Sequence, residues 1–188
     1  MATKTIYKVQ GEQGAAFELL DVDGALSLSL DGTVVTAVET LRSVDASAKM
    51  VSVTAATLTV TEASHAGKLI ALNSAAGIAV TLPAATGTGN TYEFVVGTSV
   101  TSNTTTIKVA DATDVMDGII YAADDTATPA PLVWVTAVDS DTITLNGSTQ
   151  GGIIGDRIKL TDIATDQWVV HGFVKQSGVE ATPFSASV

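Results

Sequence analysis

The stretch that decides the fold is residues 78–96, which read IAVTLPAATGTGNTYEFVV. Apolar side chains recur at every second position on both sides of a glycine-rich centre, Gly87-Thr-Gly89-Asn90. Period-two alternation is typical of a strand with one buried face, and glycine with asparagine is typical of a tight turn. The stretch therefore predicts strands, with a tight hairpin placed before the strand at 92–96.

The same alternation continues in both directions along the chain. The alternating apolar residues outside the central stretch are Leu26, Leu28, Leu30, Leu58, Val60, Ile107, Val109, Ile143, Leu145, Ile158, Leu160, Trp168 and Val170. Turn formers separate these runs, for example at Asp31-Gly32, Asp139-Ser-Asp141 and Asn146-Gly147. Many short strands with such punctuation predict an all-β fold, namely an antiparallel β-sandwich or barrel that is jelly-roll-like. No repeat of fixed period is present, which disfavours a solenoid.

The domain organisation follows from the one segment that lacks this alternation. Residues 38–50 are compatible with either a short amphipathic helix or a polar linker. They divide the chain into residues 1–50, an extended N-terminal arm or small β segment, and residues 51–188, a β-sandwich or barrel body. The tail from Gly178 has two interpretations: an arm whose Phe184 docks on a neighbouring subunit, or a final edge strand of the same subunit.

Composition bears on stability and on assembly. The chain of 188 residues has no cysteine, so disulfides and thiolate metal sites are excluded. Hydrophobic residues make up 46% and charged residues only 15%, compared with the usual charged share of about a quarter. Apolar surface with so few charges is most simply buried between subunits, which predicts a homo-oligomer. A monomer with a core rich in alanine and valine is the alternative.

The charge balance and the hydropathy exclude two kinds of partner. Twenty Asp and Glu against nine Lys and Arg give a net charge of −11, the wrong sign for binding nucleic acid. No apolar run reaches the roughly 18 residues that cross a bilayer, so we expect no membrane partner. The N-terminus, MATKTIYK, lacks the apolar core of a signal peptide, which predicts synthesis in a cytoplasm.

Motifs for catalysis are missing from the sequence. The two histidines, His65 and His171, stand in a predicted turn and a predicted strand, and we expect both to be structural. No Gly-x-Ser-x-Gly nucleophile turn and no phosphate-binding Gly-Lys-Ser/Thr pair is present. The acids are spaced as in turns rather than as a set of metal ligands. We therefore predict no enzymatic activity, no catalytic residues, no cofactor and no resident metal.

About the C-terminal two-thirds of the chain resembles a module of tailed-bacteriophage virion proteins. The residues that carry the resemblance are Leu58-Thr-Val-Thr-Glu62, His65-Ala-Gly67-Lys68, Leu72-Asn73-Ser74, Gly77-Ile-Ala-Val-Thr-Leu-Pro83, Gly87-Thr-Gly89-Asn90-Thr-Tyr-Glu-Phe-Val-Val-Gly97, Thr101-Ser-Asn-Thr-Thr-Thr-Ile107-Lys-Val109, Asp114-Val-Met-Asp-Gly118, Thr142-Ile-Thr-Leu-Asn-Gly147-Ser and Glu180-Ala-Thr-Pro-Phe184-Ser. The resemblance implies a structural component of a virion, typically a capsid decoration (cement) protein or a fibre-like head or tail protein, and often a homotrimer.

A decoration protein would lie on the outer capsid surface and bind the major capsid (coat) protein. A distinct N-terminal piece joined by a linker suits anchoring, so residues 6–30 are the predicted capsid-facing part. The residues expected at a capsid or subunit interface are Ile6, Tyr7, Val9, Phe17, Leu19, Leu20, Leu26, Leu28, Leu30 and Phe184.

Two other functions remain open at this point. A head-fibre or tail-fibre module would meet the host surface, but long repeats, stalks and an exposed aromatic face are not evident in the sequence. A small β-barrel enzyme or sugar-binding module would need a pocket that holds Trp134 or Trp168 beside acidic residues.

Overall fold

The chain divides into two compact units, residues 1–48 and residues 49–188. The structure, a computed structural model, describes residues 5–10, 16–22, 25–30, 33–35 and 49–188. The predicted helix or linker at 38–50 therefore lies outside the described residues up to position 48. Met50, at its end, begins a strand. The second unit is called the body below.

The described residues of the N-terminal unit form four strands in one antiparallel sheet. Their bounds are β1 Thr5–Gln10, β2 Ala16–Val22, β3 Ala25–Leu30 and β4 Thr33–Val35. The strand order is β1-β2-β3-β4, so each strand pairs with the next one along the chain. The strand register aligns Tyr7 with Leu19 and Leu19 with Leu28.

The body contains twelve strands and one short helix, α1, at Glu62–His65. The strands are β5 Met50–Val53, β6 Thr57–Thr59, β7 Leu69–Leu72, β8 Ala79–Thr81, β9 Thr91–Val96, β10 Thr105–Lys108, β11 Val115–Ala123, β12 Pro131–Val135, β13 Thr142–Leu145, β14 Arg157–Ala164, β15 Gln167–Lys175 and β16 Phe184–Ser185. Seven form the large sheet, in the order β12-β11-β15-β14-β9-β7-β5, and five form the small sheet, in the order β16-β13-β10-β8-β6. The all-β fold predicted from the sequence is confirmed.

The first half of the body winds as a coil. From β5 to β10 successive strands alternate between the large and the small sheet, so strands two apart in sequence become neighbours and run parallel. The hairpin predicted before residue 92 is therefore wrong, because β8 lies in the small sheet and β9 in the large one. Residues 86–90 cross between the two sheets.

The strand pairing is mixed rather than wholly antiparallel. Five of the ten strand pairs in the body are parallel and five are antiparallel. Four of the parallel pairs arise because the chain from β5 to β10 crosses to the opposite sheet after each strand instead of turning back beside it. The fifth joins β11 to β15, which lie far apart in sequence. Period-two alternation is the same for both kinds of pairing, so the sequence pattern could not distinguish them.

The core of the body lies between the two sheets. One cluster of buried apolar residues includes Phe94, Leu160 and Trp168 from the large sheet together with Ile107 and Ile143 from the small sheet. Burial of each such side chain stabilises the fold by about 1.5–3 kcal/mol. The cluster makes the body a two-layer sandwich, with one inner and one outer face on each sheet.

One glycine on the large sheet permits a close approach of two strands. Gly118 on β11 has a φ of +149°, and a Cβ at this position would lie 1.9 Å from the carbonyl oxygen of Val170 on β15. These two residues are register partners in the parallel β11–β15 pair. A side chain at position 118 would therefore push the two strands apart.

The C-terminal tail is the edge strand of its own subunit. Phe184 on β16 pairs with Ile143 on β13, is 7% exposed and belongs to the core. Phe184 is therefore not available to a neighbouring subunit, and its assignment as an interface residue is corrected. Phe184 therefore contributes to the core at the β16 edge of the small sheet. The alternation of apolar residues in the sequence does not reveal this position.

Candidate interaction surface

The outer face of the large sheet carries an apolar area at its β12 edge. Strand register places Val133, Tyr121 and Phe173 side by side in one row across β12, β11 and β15. The next row contains Val135 and Ile119, followed by His171. We call Ile119, Tyr121, Val133, Val135 and Phe173 the outer patch.

The outer patch is largely exposed to solvent. Val133 is 50%, Val135 65% and Phe173 64% exposed, and Tyr121 is 43% exposed. The rings of Tyr121 and Phe173 are stacked, with centroids 5.8 Å apart and an interplanar angle of 16°. Large apolar side chains that adjoin on a solvent-facing sheet commonly mark a binding surface.

Strand geometry explains why these side chains point outward. On β11, Met116 and Ile120 are buried, and on β15, Trp168 and Val170 are buried. Side chains alternate between the two faces of a strand, so the odd-numbered residues of both strands must lie on the outer face. Parallel pairing of β11 with β15 then brings Tyr121 beside Phe173.

Charged side chains border the outer patch on two sides. The body has six Lys and Arg residues, and three of them, Arg157, Lys159 and Lys175, lie on β14 and β15 next to the patch. Arg157 forms an ion pair with Glu93 at 2.8 Å. On the other side, the exposed Asp117 lies on β11, and Asp124 and Asp125 follow this strand. Arg157 and Lys159 thus lie on the β14 side of the patch, whereas the acids lie at the two ends of β11 and Lys175 lies near Asp124 and Asp125.

A shallow cavity of about 330 Å³ opens beside Tyr121, Phe173 and Lys175, and Asp156 forms part of its wall. Asp156 is 2% exposed. Its carboxylate accepts the backbone N–H groups of Gly152 at 2.8 Å, Ile153 at 3.0 Å and Lys175 at 3.0 Å. Burial raises the pKa of Asp156 in spite of these hydrogen bonds. The carboxylate therefore holds the chain between β13 and β14.

The buried carboxylate of Asp162 has a similar structural role. It accepts the N–H groups of Thr86 at 3.0 Å, Gly87 at 2.6 Å and Thr88 at 3.0 Å, and the Thr88 hydroxyl at 2.7 Å. Burial alone would raise the pKa of Asp162, but the hydrogen bonds from Thr88, Gly87 and Thr86 outweigh it and lower the pKa. Asp162 fastens the loop that crosses between the sheets.

Two further buried carboxylates also bind the backbone. Asp141 accepts the N–H groups of Ser187 at 2.7 Å and Val188 at 3.1 Å and the Thr142 hydroxyl at 2.7 Å. Asp114 accepts the N–H of Ala85 at 3.3 Å, and burial raises its pKa. The four buried acids among the described residues are thus engaged with the chain itself, which accounts for their positions without any catalytic role.

The two histidines lie on different elements, and one is buried whereas the other is exposed. His65 is 9% exposed in α1, between β6 and β7, and its Nδ1 accepts the N–H of Thr61 at 2.9 Å. His171 is exposed on the outer face of β15, next to Ile119 in the strand register. His65 stabilises the start of its helical turn, whereas His171 borders the outer patch.

Neither tryptophan forms an open platform. Trp168 is fully buried and packs edge-to-face on Tyr92, with ring centroids 5.8 Å apart. Among the described residues its Nε1 has no hydrogen-bond partner. Trp134 is half-buried, and its Nε1 donates to Gln176 at 2.9 Å. The pocket with tryptophan and acids that a sugar-binding module would need is not formed at either residue, whereas an aromatic face made by Tyr121 and Phe173 is.

The predicted interface residues of the N-terminal unit lie on three neighbouring strands. Ile6, Tyr7 and Val9 belong to β1, Phe17, Leu19 and Leu20 to β2, and Leu26, Leu28 and Leu30 to β3. The structure describes only the strands to which these residues belong, so the prediction that they bind a capsid stays a prediction.

Searches of the described residues for two other kinds of feature were negative. Within them, no group of three or more His, Cys, Asp and Glu side chains is arranged to hold a metal ion. No helix in the described part of the chain has the length and apolar character needed to traverse a bilayer.

Sequence reasoning missed the outer patch, although part of the signal was present. The assignment of Trp168 and Val170 to a buried face already implied that His171 and Phe173 lie on the opposite face. The contact of Phe173 with Tyr121 depends on parallel pairing across 52 residues of sequence, which no local pattern indicates.

Comparison with protein-family models, with curated proteins and with solved structures found no match.

Proposed function

We propose that the protein is a structural component of a tailed-bacteriophage virion, a capsid decoration (cement) protein on the outer surface of the shell. The observation that best supports the proposal is the contrast between the acids and the outer patch. The buried carboxylates of the body are engaged in holding loops, while a firmly held sheet exposes the stacked rings of Tyr121 and Phe173. A molecule with this division is suited to binding other proteins rather than to catalysis.

In this role the two units have different tasks. The N-terminal strands, residues 6–30, would attach to the major capsid protein, and the body would stand on the shell and stabilise contacts between coat subunits. The resemblance to decoration proteins favours a homotrimer at local three-fold positions, made in the host cytoplasm. The net charge of −11 suits a place outside the shell, away from the packaged DNA.

Electron cryo-microscopy of the virus particle that encodes the protein tests the location. We expect density for the sandwich on the outer capsid surface, at the junctions of coat subunits. Density at the tail tip or within the shell would contradict the proposal.

Deletion of residues 1–40 tests the mode of attachment. We expect the truncated chain to keep the circular dichroism spectrum of a β protein and to lose sedimentation with coat shells. The matched control is the full chain with Val179→Lys, an 86% exposed position in the body. Normal decoration of shells by the truncated chain would show that another part of the protein binds the coat.

A head-fibre or tail-fibre module that contacts the host surface is the second candidate. The structure supplies one feature that the sequence did not reveal, an exposed aromatic face with a cavity beside it. Aromatic faces of this kind can stack on sugar rings. Saturable adsorption of the purified protein to host cells, lost on Tyr121→Ala, would favour this candidate over the decoration role.

A further inference from the structure

The loop between β13 and β14 begins with Asn146-Gly147, a dipeptide prone to spontaneous deamidation. In this reaction the backbone nitrogen of the second residue attacks the side-chain amide carbon of asparagine. Glycine in the second position hinders that nitrogen least. The other three asparagines of the chain, Asn73, Asn90 and Asn103, are followed by serine or threonine. Position 146 therefore has the most reactive local sequence.

The fold requires this reactive dipeptide. Gly147 has a φ of +83°, in the left-handed region that favours glycine, and a Cβ there would lie 1.9 Å from the carbonyl oxygen of Val100. The side-chain amide of Asn146 both accepts and donates hydrogen bonds within the loop. A bulkier second residue, which would slow deamidation, therefore does not fit at position 147.

Both reacting groups are engaged in the folded chain. The backbone N–H of Gly147, whose nitrogen is the nucleophile, donates to the carbonyl oxygen of Gly151 at 2.6 Å. On the amide of Asn146, Oδ1 accepts the N–H of Gln150 at 3.0 Å and Nδ2 donates to the Thr149 hydroxyl at 2.8 Å. Attack requires that the nitrogen lose its proton and that the side chain turn towards it. These hydrogen bonds must therefore break first.

The C-terminal tail helps to keep the loop closed. The N–H of Ala181 donates to the carbonyl oxygen of Thr149 at 2.9 Å. The side-chain amide of Gln150 donates to the carbonyl oxygen of Thr182 at 2.9 Å. The loop and the segment that leads into β16 thus hold each other. The fraction of molecules in which they are open then limits the rate of any reaction at Asn146.

We propose that Asn146 is a latent modification site, unreactive while the loop is closed and deamidated irreversibly once the loop opens. Hydroxide removes the proton of Gly147, the nitrogen bonds to Cγ of Asn146, and the Cγ–Nδ2 bond breaks. Ammonia leaves with a proton from water, which restores the hydroxide. Water then opens the cyclic imide at either carbonyl and gives aspartate or isoaspartate.

Either product should prevent the loop from closing as before. Both lack the amide N–H that donates to Thr149, and both add a negative charge at position 146. Isoaspartate also lengthens the main chain by a methylene group. The inference concerns this loop alone and does not depend on which partner the protein binds.

Peptide mapping by mass spectrometry tests the proposal on the full chain, kept in mildly alkaline buffer with and without urea. We expect Asn146 to convert on the order of tenfold or more faster in urea, because the folded chain reacts only through its open fraction. Asn90 and Asn103 serve as internal references and should convert slowly in both conditions. Digestion at acidic pH prevents deamidation during the measurement.

Thr149→Val separates protection by the fold from the chemistry of the dipeptide. The substitution removes the hydroxyl that holds Nδ2 of Asn146, so conversion in native buffer should become several-fold faster. Conversion in urea should stay the same. Thr88→Val is the matched control, because it removes a hydroxyl that donates to Asp162 in a different loop and should change neither rate.

Limited proteolysis with chymotrypsin measures the consequence for the tail. A chain converted in alkaline urea and then refolded should be cut after Phe184, which is buried in the unconverted chain. A chain kept in mildly acidic urea, where Asn146 stays intact, is the control and should resist the cut after refolding.

Three outcomes would overturn the proposal. The first is equal conversion of Asn146 in the folded and the unfolded chain. The second is conversion in urea no faster than that of Asn90. The third is a Thr149→Val chain that converts in native buffer no faster than the unaltered chain. None of these outcomes bears on binding to coat shells, so this proposal and the decoration role can fail separately.

Discussion

The outer faces of the two sheets of the body differ sharply although the sheets share one core. On the small sheet, one outward cross-strand row contains Thr59, Thr81, Lys108 and Ser185, together with Thr142, which is buried and donates its hydroxyl to Asp141. On the large sheet, the corresponding outward positions near β12 contain Val133, Tyr121 and Phe173. Threonine satisfies the preference of a strand for branched side chains and still presents a hydroxyl to water.

This difference teaches that the sandwich itself does not require an apolar outer face. If packing between the sheets dictated the outer residues, both outer faces would have the same character. The small sheet shows that hydroxyl-bearing side chains serve the fold equally well. The exposed rings on β11 and β15 are therefore not explained by the packing of the sandwich, which supports their proposed role in contact with a partner.

The largest effect is expected from truncating one aromatic residue on each face of the large sheet. Phe94 on β9 is 1% exposed and Phe173 on β15 is 64% exposed. Phe94→Ala should lower the free energy of unfolding by about 3–5 kcal/mol because it leaves a cavity in the core. Phe173→Ala should lower it by about 1 kcal/mol or less. Urea unfolding of dilute protein measures both, and equal losses would contradict the division into an inner and an outer face.

A smaller difference in stability is expected when one carboxylate on each face of the large sheet is neutralised. Asp162→Asn removes the negative charge of the carboxylate that accepts three backbone N–H groups of the crossing loop. The substitution should lower the free energy of unfolding by about 2 kcal/mol. Asp117→Asn, on the exposed outer face, is the matched control and should cost almost nothing. A neutral result for Asp162→Asn would mean that the crossing loop is held by other contacts.

The same carboxylates predict how stability depends on pH. The folded-state pKa values of Asp141 and Asp162 lie below the ordinary value of 3.8. Their stabilisation is therefore complete above 3.8 and is lost as the pH falls through the folded-state pKa values. Asp114 and Asp156, whose pKa values are raised, act in the opposite direction as the pH rises above 3.8. Urea midpoints measured from neutral to acidic pH should fall less steeply below 3.8 in Asp162→Asn than in the unaltered chain.

Two substitutions give the outer patch threonine side chains like those on the outer face of the small sheet. The double substitution Tyr121→Thr with Phe173→Thr should leave the unfolding free energy within about 1 kcal/mol, since both positions face solvent. Association of the chain with other copies or with coat shells, if the outer patch carries it, should fall on the order of tenfold or more. Unchanged association, measured by sedimentation velocity, would break the comparison on which the interface rests.

The smallest effect is expected from the reverse change on the small sheet. Thr81→Val replaces an exposed hydroxyl with a methyl group at nearly constant shape, so stability should change by about 0.5 kcal/mol or less. Its sedimentation should match that of the unaltered chain. Association gained by this substitution would show that any apolar outer face suffices.

Much of the fold could be predicted from local pattern, but its connections could not. Alternation at Ile78, Val80 and Leu82 correctly indicated buried strand positions, because side-chain direction on a strand depends only on backbone geometry. The predicted hairpin before Tyr92 failed because glycines serve a loop that crosses between sheets as well as they serve a turn within one. The crossing loop is held by the carboxylate of Asp162, which accepts the N–H of Thr88, 74 residues away in sequence.

The candidate site was less predictable than the fold. The composition predicted a homo-oligomer, which stays a prediction, and the tail directed attention to Phe184, which the structure places in the core. Phe173 stood in a recognised strand, yet a single exposed aromatic residue has no distinctive signal. Its significance comes from Tyr121 on β11 and from Val133 and Val135 on β12, which strand pairing brings to the same face as Phe173 on β15.

The sequence by itself determined that this chain is built from strands, which side chains on many of those strands face inward, and that the net charge is −11. These properties follow from residue type and from a two-residue period, so neighbours along the chain suffice to define them. Only the tertiary structure decided that the chain coils between two sheets, that buried acids hold its loops and that two aromatic rings meet on an open face. These depend on contacts between residues distant in sequence, which are selected by the packing of the whole body.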